Sequence, residues 1–112
     1  MDGERLRAYT EQDDGASISL SPGEVFEVRL AENPTTGYRW HLGEWDRSVL
    51  ELARDEFRPP GTPRPGAGGE HVWEFAARAP GQCALRFAYR RGWESATPAK
   101  AFRLDVSVKT DG

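Results

Sequence analysis

Cysteine is almost missing from this 112-residue chain: Cys83 stands alone. A single thiol excludes an intramolecular disulfide and a cysteine-based metal cage. Lysine is scarce as well, with Lys100 and Lys109 against thirteen arginines. In a chain rich in Ala, Gly and Pro, that bias hints at a high-GC bacterial genome. The net charge is −3, so the basic footprint of a nucleic-acid binder is lacking. No apolar run approaches the length that spans a membrane. The first residues, Met1-Asp2-Gly3-Glu4-Arg5, hold no apolar stretch, so no signal peptide is visible. The chain as it stands is expected in the cytoplasm, and outside it if a leader has been removed. Metal-ligand spacings and paired loop carboxylates are also lacking, so neither a metal nor a cofactor is expected.

Aromatic residues are what the chain has in quantity: four Trp, five Phe and three Tyr. They fall on a period of two, the repeat of a strand with one buried face. Ile18 and Leu20 alternate with serines. Phe26, Val28 and Leu30 alternate with Glu27 and Arg29; Tyr38, Trp40 and Leu42 alternate with Arg39 and His41. Leu50 and Leu52 start a strand that runs towards Phe57. Trp73, Phe75 and Ala77, then Cys83, Leu85, Phe87 and Tyr89, then Phe102, Leu104, Val106 and Val108 continue the pattern. Residues 44 to 49 have room for one irregular turn. No segment carries a sustained helical stripe. One domain over residues 1–112 follows, all-β, with seven or eight short strands. An immunoglobulin-like antiparallel β-sandwich without its disulfide fits best, with a closed barrel as the alternative.

Three segments break the alternation. The first is Asn33-Pro34-Thr35-Thr36-Gly37, which leads into Tyr38-Arg39-Trp40. Proline pushes the residue before it out of helical space, and Gly37 tolerates a positive φ. A turn is expected there, with two exposed threonines and a heavy aromatic anchor behind them. The second segment is residues 57–69, FRPPGTPRPGAGG, with four prolines and four glycines. It cannot supply regular ladder hydrogen bonds. The third is residues 90–98, RRGWESATP, with Trp93 in its middle. With a broken first strand over about residues 4–20, these segments are the B–C, D–E and F–G loops. Strands reverse at each step of such a sandwich, so all three loops are expected at one end.

The residues of these loops resemble the signatures of chagasin-type inhibitors of papain-like cysteine peptidases. NPTTG followed by an aromatic, one residue and Trp is the family's first motif, and Asn33 to Trp40 carry it whole. The family's GxGG segment is matched by Gly66-Ala67-Gly68-Gly69. Its third motif, Arg-Pro-Trp or Arg-Pro-Phe, is matched by Arg91-Gly92-Trp93, with glycine in place of proline. The resemblance covers about residues 5 to 109. It implies a reversible, tight-binding inhibitor that is not an enzyme and acts as a monomer. Thr35, Thr36 and Gly37 would sit over the catalytic Cys–His pair of the peptidase, with Asn33 and Pro34 at their root. Gly66 to Gly69 would lie along the non-primed subsites, and Arg91 and Trp93 would pack on the primed side. Truncation of a buried Trp93 would cost on the order of 2 kcal/mol or more. Gly92 leaves the third loop less pre-organised than proline would, by about 0.4–1 kcal/mol. Arg64 and Pro65 stand where family members often carry apolar residues for the S2 pocket, and an arginine there points to an acidic S2 site.

Other residues read more plainly. Trp40 and Trp73 belong on buried faces, and Trp45 has no definite place. Cys83 lies on the apolar face of its strand, where thiols are inert packing. Nothing in the spacing aims His41 or His71 at it. GAGG precedes a strand rather than a helix, which argues against phosphate binding. The alternative to an inhibitor is an adhesion or interaction module that uses the same tip for another protein or a carbohydrate.

Overall fold

A computed structural model describes residues 7–60, 68–91 and 98–110. Eight strands occur among them: β1 (Arg7–Tyr9), β2 (Ala16–Leu20), β3 (Val25–Glu32), β4 (Tyr38–Leu42), β5 (Leu50–Arg58), β6 (Gly69–Ala77), β7 (Gly81–Arg91) and β8 (Lys100–Val108). They form two four-stranded sheets, in the orders β1-β3-β6-β5 and β2-β8-β7-β4. The open orders with two edges per sheet are those of a sandwich, not of a closed barrel.

The broken first strand supplies an edge to each sheet. β1 pairs with β3 and β2 pairs with β8, and both pairings are parallel. All other pairings are antiparallel. The two sheets are therefore mixed rather than purely antiparallel. The switch between them occurs at the 3-10 turn Glu11–Asp13, closed by a capping box between Thr10 and Asp13. Beyond it, Gly15 takes a φ of +86° and donates its amide hydrogen to the Arg103 carbonyl, which delivers the chain to the second sheet.

Alternation puts the expected side chains inside. Phe26, Val28 and Leu30 of β3, with Trp73 and Phe75 of β6, face Leu85 and Phe87 of β7 and Phe102 and Leu104 of β8, all essentially buried. Trp73 carries the contact across the sheets, with its ring 4.7 Å from Phe87. Burying such side chains stabilises the fold by about 1.5–3 kcal/mol each. Trp45 now has a place: it is half-buried, packs edge-on to Phe75 and donates its indole hydrogen to the Leu50 carbonyl.

β5 departs from simple alternation. Its pairing with β6 slips between Leu52 and Arg54, which leaves Ala53 as an extra residue. Such a bulge reverses the parity of everything after it. Leu50 and Leu52 are on the inner side before the bulge; Asp55, opposite Trp73, and Phe57, opposite His71, are on it afterwards.

Candidate functional site at the loop tip

Register alone shows where the three loops leave the sandwich. Glu32, the last residue of β3, pairs with Gly69, the first of β6, and Arg58 of β5 pairs with the next residue, Glu70. In the other sheet Tyr38, the first residue of β4, pairs with Arg91 at the end of β7, and Tyr89 pairs with Lys100 at the start of β8. The B–C, D–E and F–G connections thus depart from one end.

The first loop is a closed object. Pro34–Thr36 form a single 3-10 turn with Asn33 as its cap and Gly37 at a φ of +83°. Proline suits the first position of such a turn because no partner is needed there for its missing N–H. Asn33 Oδ1 accepts hydrogen bonds from the Thr35 amide at 3.2 Å and the Thr35 hydroxyl at 2.7 Å. Thr36 Oγ1 donates to the Asn33 carbonyl at 2.8 Å and accepts from the Tyr38 amide at 3.2 Å. The sequence suggests a tip that offers hydroxyls and a methyl-bearing surface. The structure turns the hydroxyl hydrogens of both threonines inward, because they close the turn. Thr35, Thr36 and Gly37 remain exposed and present methyl groups and peptide edges.

An aromatic stack holds the turn from behind. Trp40 is 5% exposed and donates its indole hydrogen to the Ala31 carbonyl at 2.8 Å. The Tyr89 ring lies 4.9 Å from Trp40 and 5.5 Å from Tyr38. The Asn33 amide points at the Tyr89 hydroxyl at 3.4 Å. The guanidinium of Arg91 lies over the Tyr38 ring at 5.1 Å, within the reach of a cation–π contact. The root of the third loop is therefore attached to the exit of the first.

The exit of the second loop touches the entry of the first. A side-chain carbon on Gly68 would lie 3.3 Å from Asn33 Cβ and from the Glu32 carbonyl oxygen. One on Gly69 would collide with the Arg58 carbonyl oxygen and the Phe57 ring. These glycines serve close approach of backbone to backbone. Arg64, Pro65, Gly66, Ala67, Gly92 and Trp93 lie outside the described residues. Among the candidate residues, Asn33 to Gly37, Gly68, Gly69 and Arg91 are brought to one end.

Three residues at the base of the tip have no counterpart in the sequence-level site. Glu32 is 2% exposed. It accepts the Trp40 amide hydrogen at 2.7 Å with one oxygen and contacts His71 Nδ1 at 3.0 Å with the other. His71 Nε2 in turn contacts Asp55 at 2.5 Å. The His71 ring is stacked on Trp73 at 4.1 Å. Parity offers a signal for two of them: Glu32 continues the inward series Phe26, Val28, Leu30, and His71 precedes the inward Trp73 and Phe75 by the same step. Asp55 faces the same side as Leu50 and Leu52, but the extra residue at Ala53 puts it on the opposite parity in the sequence.

Cys83 is buried, and burial pushes its thiol above the ordinary range, with the Asp46 carbonyl at 4.0 Å as its polar neighbour. A thiol in that condition is not a nucleophile. Neither histidine is placed to change this: His71 is committed to two carboxylates, and His41 pairs with Ala88, five residues along β7 from Cys83.

The fold is an immunoglobulin-like sandwich from which three unusual connections depart at one end, the first of them closed on itself. Residues 19–108 match the family described as chagasin family peptidase inhibitor I42, and the chain belongs to that family. Its members are inhibitors, not enzymes. The chain is similar to chagasin from Trypanosoma cruzi, with 30% identity over 75% of this chain and 80% of that protein. Among solved structures it resembles a cysteine protease inhibitor from Entamoeba histolytica, with a TM-score of 0.79 and 22% identity over 93% of this chain and 95% of the other. It also resembles PbICP-C, solved in complex with falcipain-2, with a TM-score of 0.65 and 16% identity over 94% of this chain and 92% of the other. The two relatives whose organism is named are protozoan, and they lend no support to the bacterial origin suggested by composition.

Proposed function

We propose that this chain is a reversible, tight-binding inhibitor of papain-like cysteine peptidases, and that it acts by seating its loop tip in the active-site cleft. The observation that carries this reading is the closed Asn33–Gly37 turn at the centre of the tip. A turn whose hydroxyls and amides are already paired loses little freedom on binding. Its exposed surface has no extended peptide to set in attack geometry, so it covers a nucleophile without becoming a substrate. The family description, a neighbour named as a cysteine protease inhibitor and another solved in complex with falcipain-2 support the same target class. The glycine-rich segment ending at Gly68 and Gly69 lies along the non-primed side in this reading, with Arg64 and Pro65 towards S2. Arg91, Gly92 and Trp93 pack on the primed side.

Titration of papain with the purified chain tests the proposal. Stoichiometric or nanomolar inhibition that reverses on dilution is expected. No inhibition at micromolar concentration overturns it and favours an interaction module. Trp93→Ala is expected to speed dissociation of the complex, and unchanged dissociation removes Trp93 from the contact.

A further inference from the structure

The contacts of His71 do not balance for a neutral ring. Both ring nitrogens lie within hydrogen-bond distance of a carboxylate, Nδ1 on Glu32 and Nε2 on Asp55. A neutral imidazole has one N–H, and a carboxylate has none to give. Two hydrogen bonds need two hydrogens, so the arrangement is complete when the ring is an imidazolium between two anions. Among the described residues, the titratable groups that face the ring are Glu32 from β3 and Asp55 from β5. Trp73 of β6 covers one face of the ring. From β4 the Trp40 amide reaches the same Glu32 carboxylate, and from β7 the Tyr89 hydroxyl stands at the adjacent Asn33 amide.

These contacts join specific places. Glu32 is the last residue before the Asn33–Gly37 turn, and Trp40 follows that turn. Asp55 and His71 stand on the two strands that carry the D–E loop. We propose that Glu32, His71 and Asp55 are positioning residues that clip the root of the central turn to both stems of the glycine-rich loop, and that the clip is set by the His71 proton. This rests on the inhibitory role given to the tip above. When the ring loses its proton, Glu32 is the partner that cannot turn to water, so the remaining N–H stays on it. Asp55, whose side chain is 49% exposed, releases. The β5 stem then uncouples, and the tip meets its peptidase less well arranged.

The test has two arms. In the first, dissociation of the papain complex is followed across the pH range over which the His71 ring signals of the free chain shift. Wild type is compared with Asp55→Ala, which removes both carboxylate oxygens and leaves the buried Glu32 in place. The ratio of the two rates cancels the titration of papain itself. The variant is expected to dissociate about tenfold faster at the acid end, the equivalent of one charge-assisted hydrogen bond, and to match wild type at the alkaline end. A ratio that is constant across the range overturns the proposal. In the second arm, amide signals of the free chain are followed by NMR over the same range. The Trp40, Thr36 and Gly37 amides are expected to shift with the His71 ring in wild type, and to stay still in His71→Gln. Amides that ignore the ring titration overturn the clip. If wild type fails to inhibit papain, the inhibitory reading falls and the second arm still decides the clip.

Discussion

Thr36 donates its hydroxyl hydrogen to the Asn33 carbonyl and accepts the Tyr38 amide hydrogen on the same oxygen, so one atom closes the central turn on both sides. Thr36→Ala removes both bonds and is expected to weaken papain inhibition by about 1 kcal/mol, roughly fivefold, through faster dissociation. Thr36→Ser keeps the oxygen and is expected to stay near wild type; equal loss in both variants would assign the role to the methyl group instead. Gly69 is a residue of a different kind. A side chain there has nowhere to go between the Arg58 carbonyl and the Phe57 ring. Gly69→Ala is expected to lower stability in urea unfolding by about 1–3 kcal/mol, the usual range for forced overpacking. Cys83 is decided by burial: with its thiol pushed up, alkylation at neutral pH is expected to be slow in the folded chain and fast once urea unfolds it. Rapid labelling of the folded chain would contradict that environment.

β5 shows how a single element arranges the site. The ladder runs from Leu52 opposite Phe75 directly to Arg54 opposite Glu74, so Ala53 is surplus to the pairing. Deleting Ala53 therefore leaves Asp55 opposite Trp73 and Phe57 opposite His71. The deletion is expected to fold, to change stability by no more than about 1 kcal/mol, and to retain inhibition. Replacing Asp55 by a residue without an oxygen acts on the tip, while deleting Ala53 does not. Loss of inhibition on the deletion would show that the bulge itself, through its twist, shapes the D–E loop. β4 contributes in another way. It is an edge strand, so the Trp40 amide lacks a strand partner, and the Glu32 carboxylate supplies one across the interface between the sheets. An edge hydrogen bond is thereby converted into the attachment of the central loop.

At the scale of the whole molecule, the first loop stands on a core that is aromatic and continuous. Tyr38, Tyr89 and Trp40 stack in one sheet, and His71, Trp73 and Phe87 stack across both. Trp73→Ala removes the ring that joins the sheets and supports His71. A loss of about 3–5 kcal/mol is expected in urea unfolding, a large part of the stability of a small domain. Much of this plan was legible in the sequence. A strict two-residue repeat put Phe26, Trp73, Phe87 and Phe102 inside, because only one face of a strand can be buried. Strand count set three loops at one end, and the NPTTG turn named the family. Other features could not be read from periodicity. The parallel pairing of β1 and β2 depends on a crossing between sheets that no local pattern encodes. The Ala53 bulge shows only when β5 is laid against β6. The inward threonine hydroxyls follow from a 3-10 turn whose closure depends on Asn33 and Tyr38 together. The sequence by itself determined which faces are buried and which connections leave from one end, since both follow from the order of residues along each strand and from the number of strands. Only the tertiary structure decided that Glu32, His71 and Asp55 meet, because three charged groups from three strands become neighbours through pairing register, and register is a property of the assembled sheet.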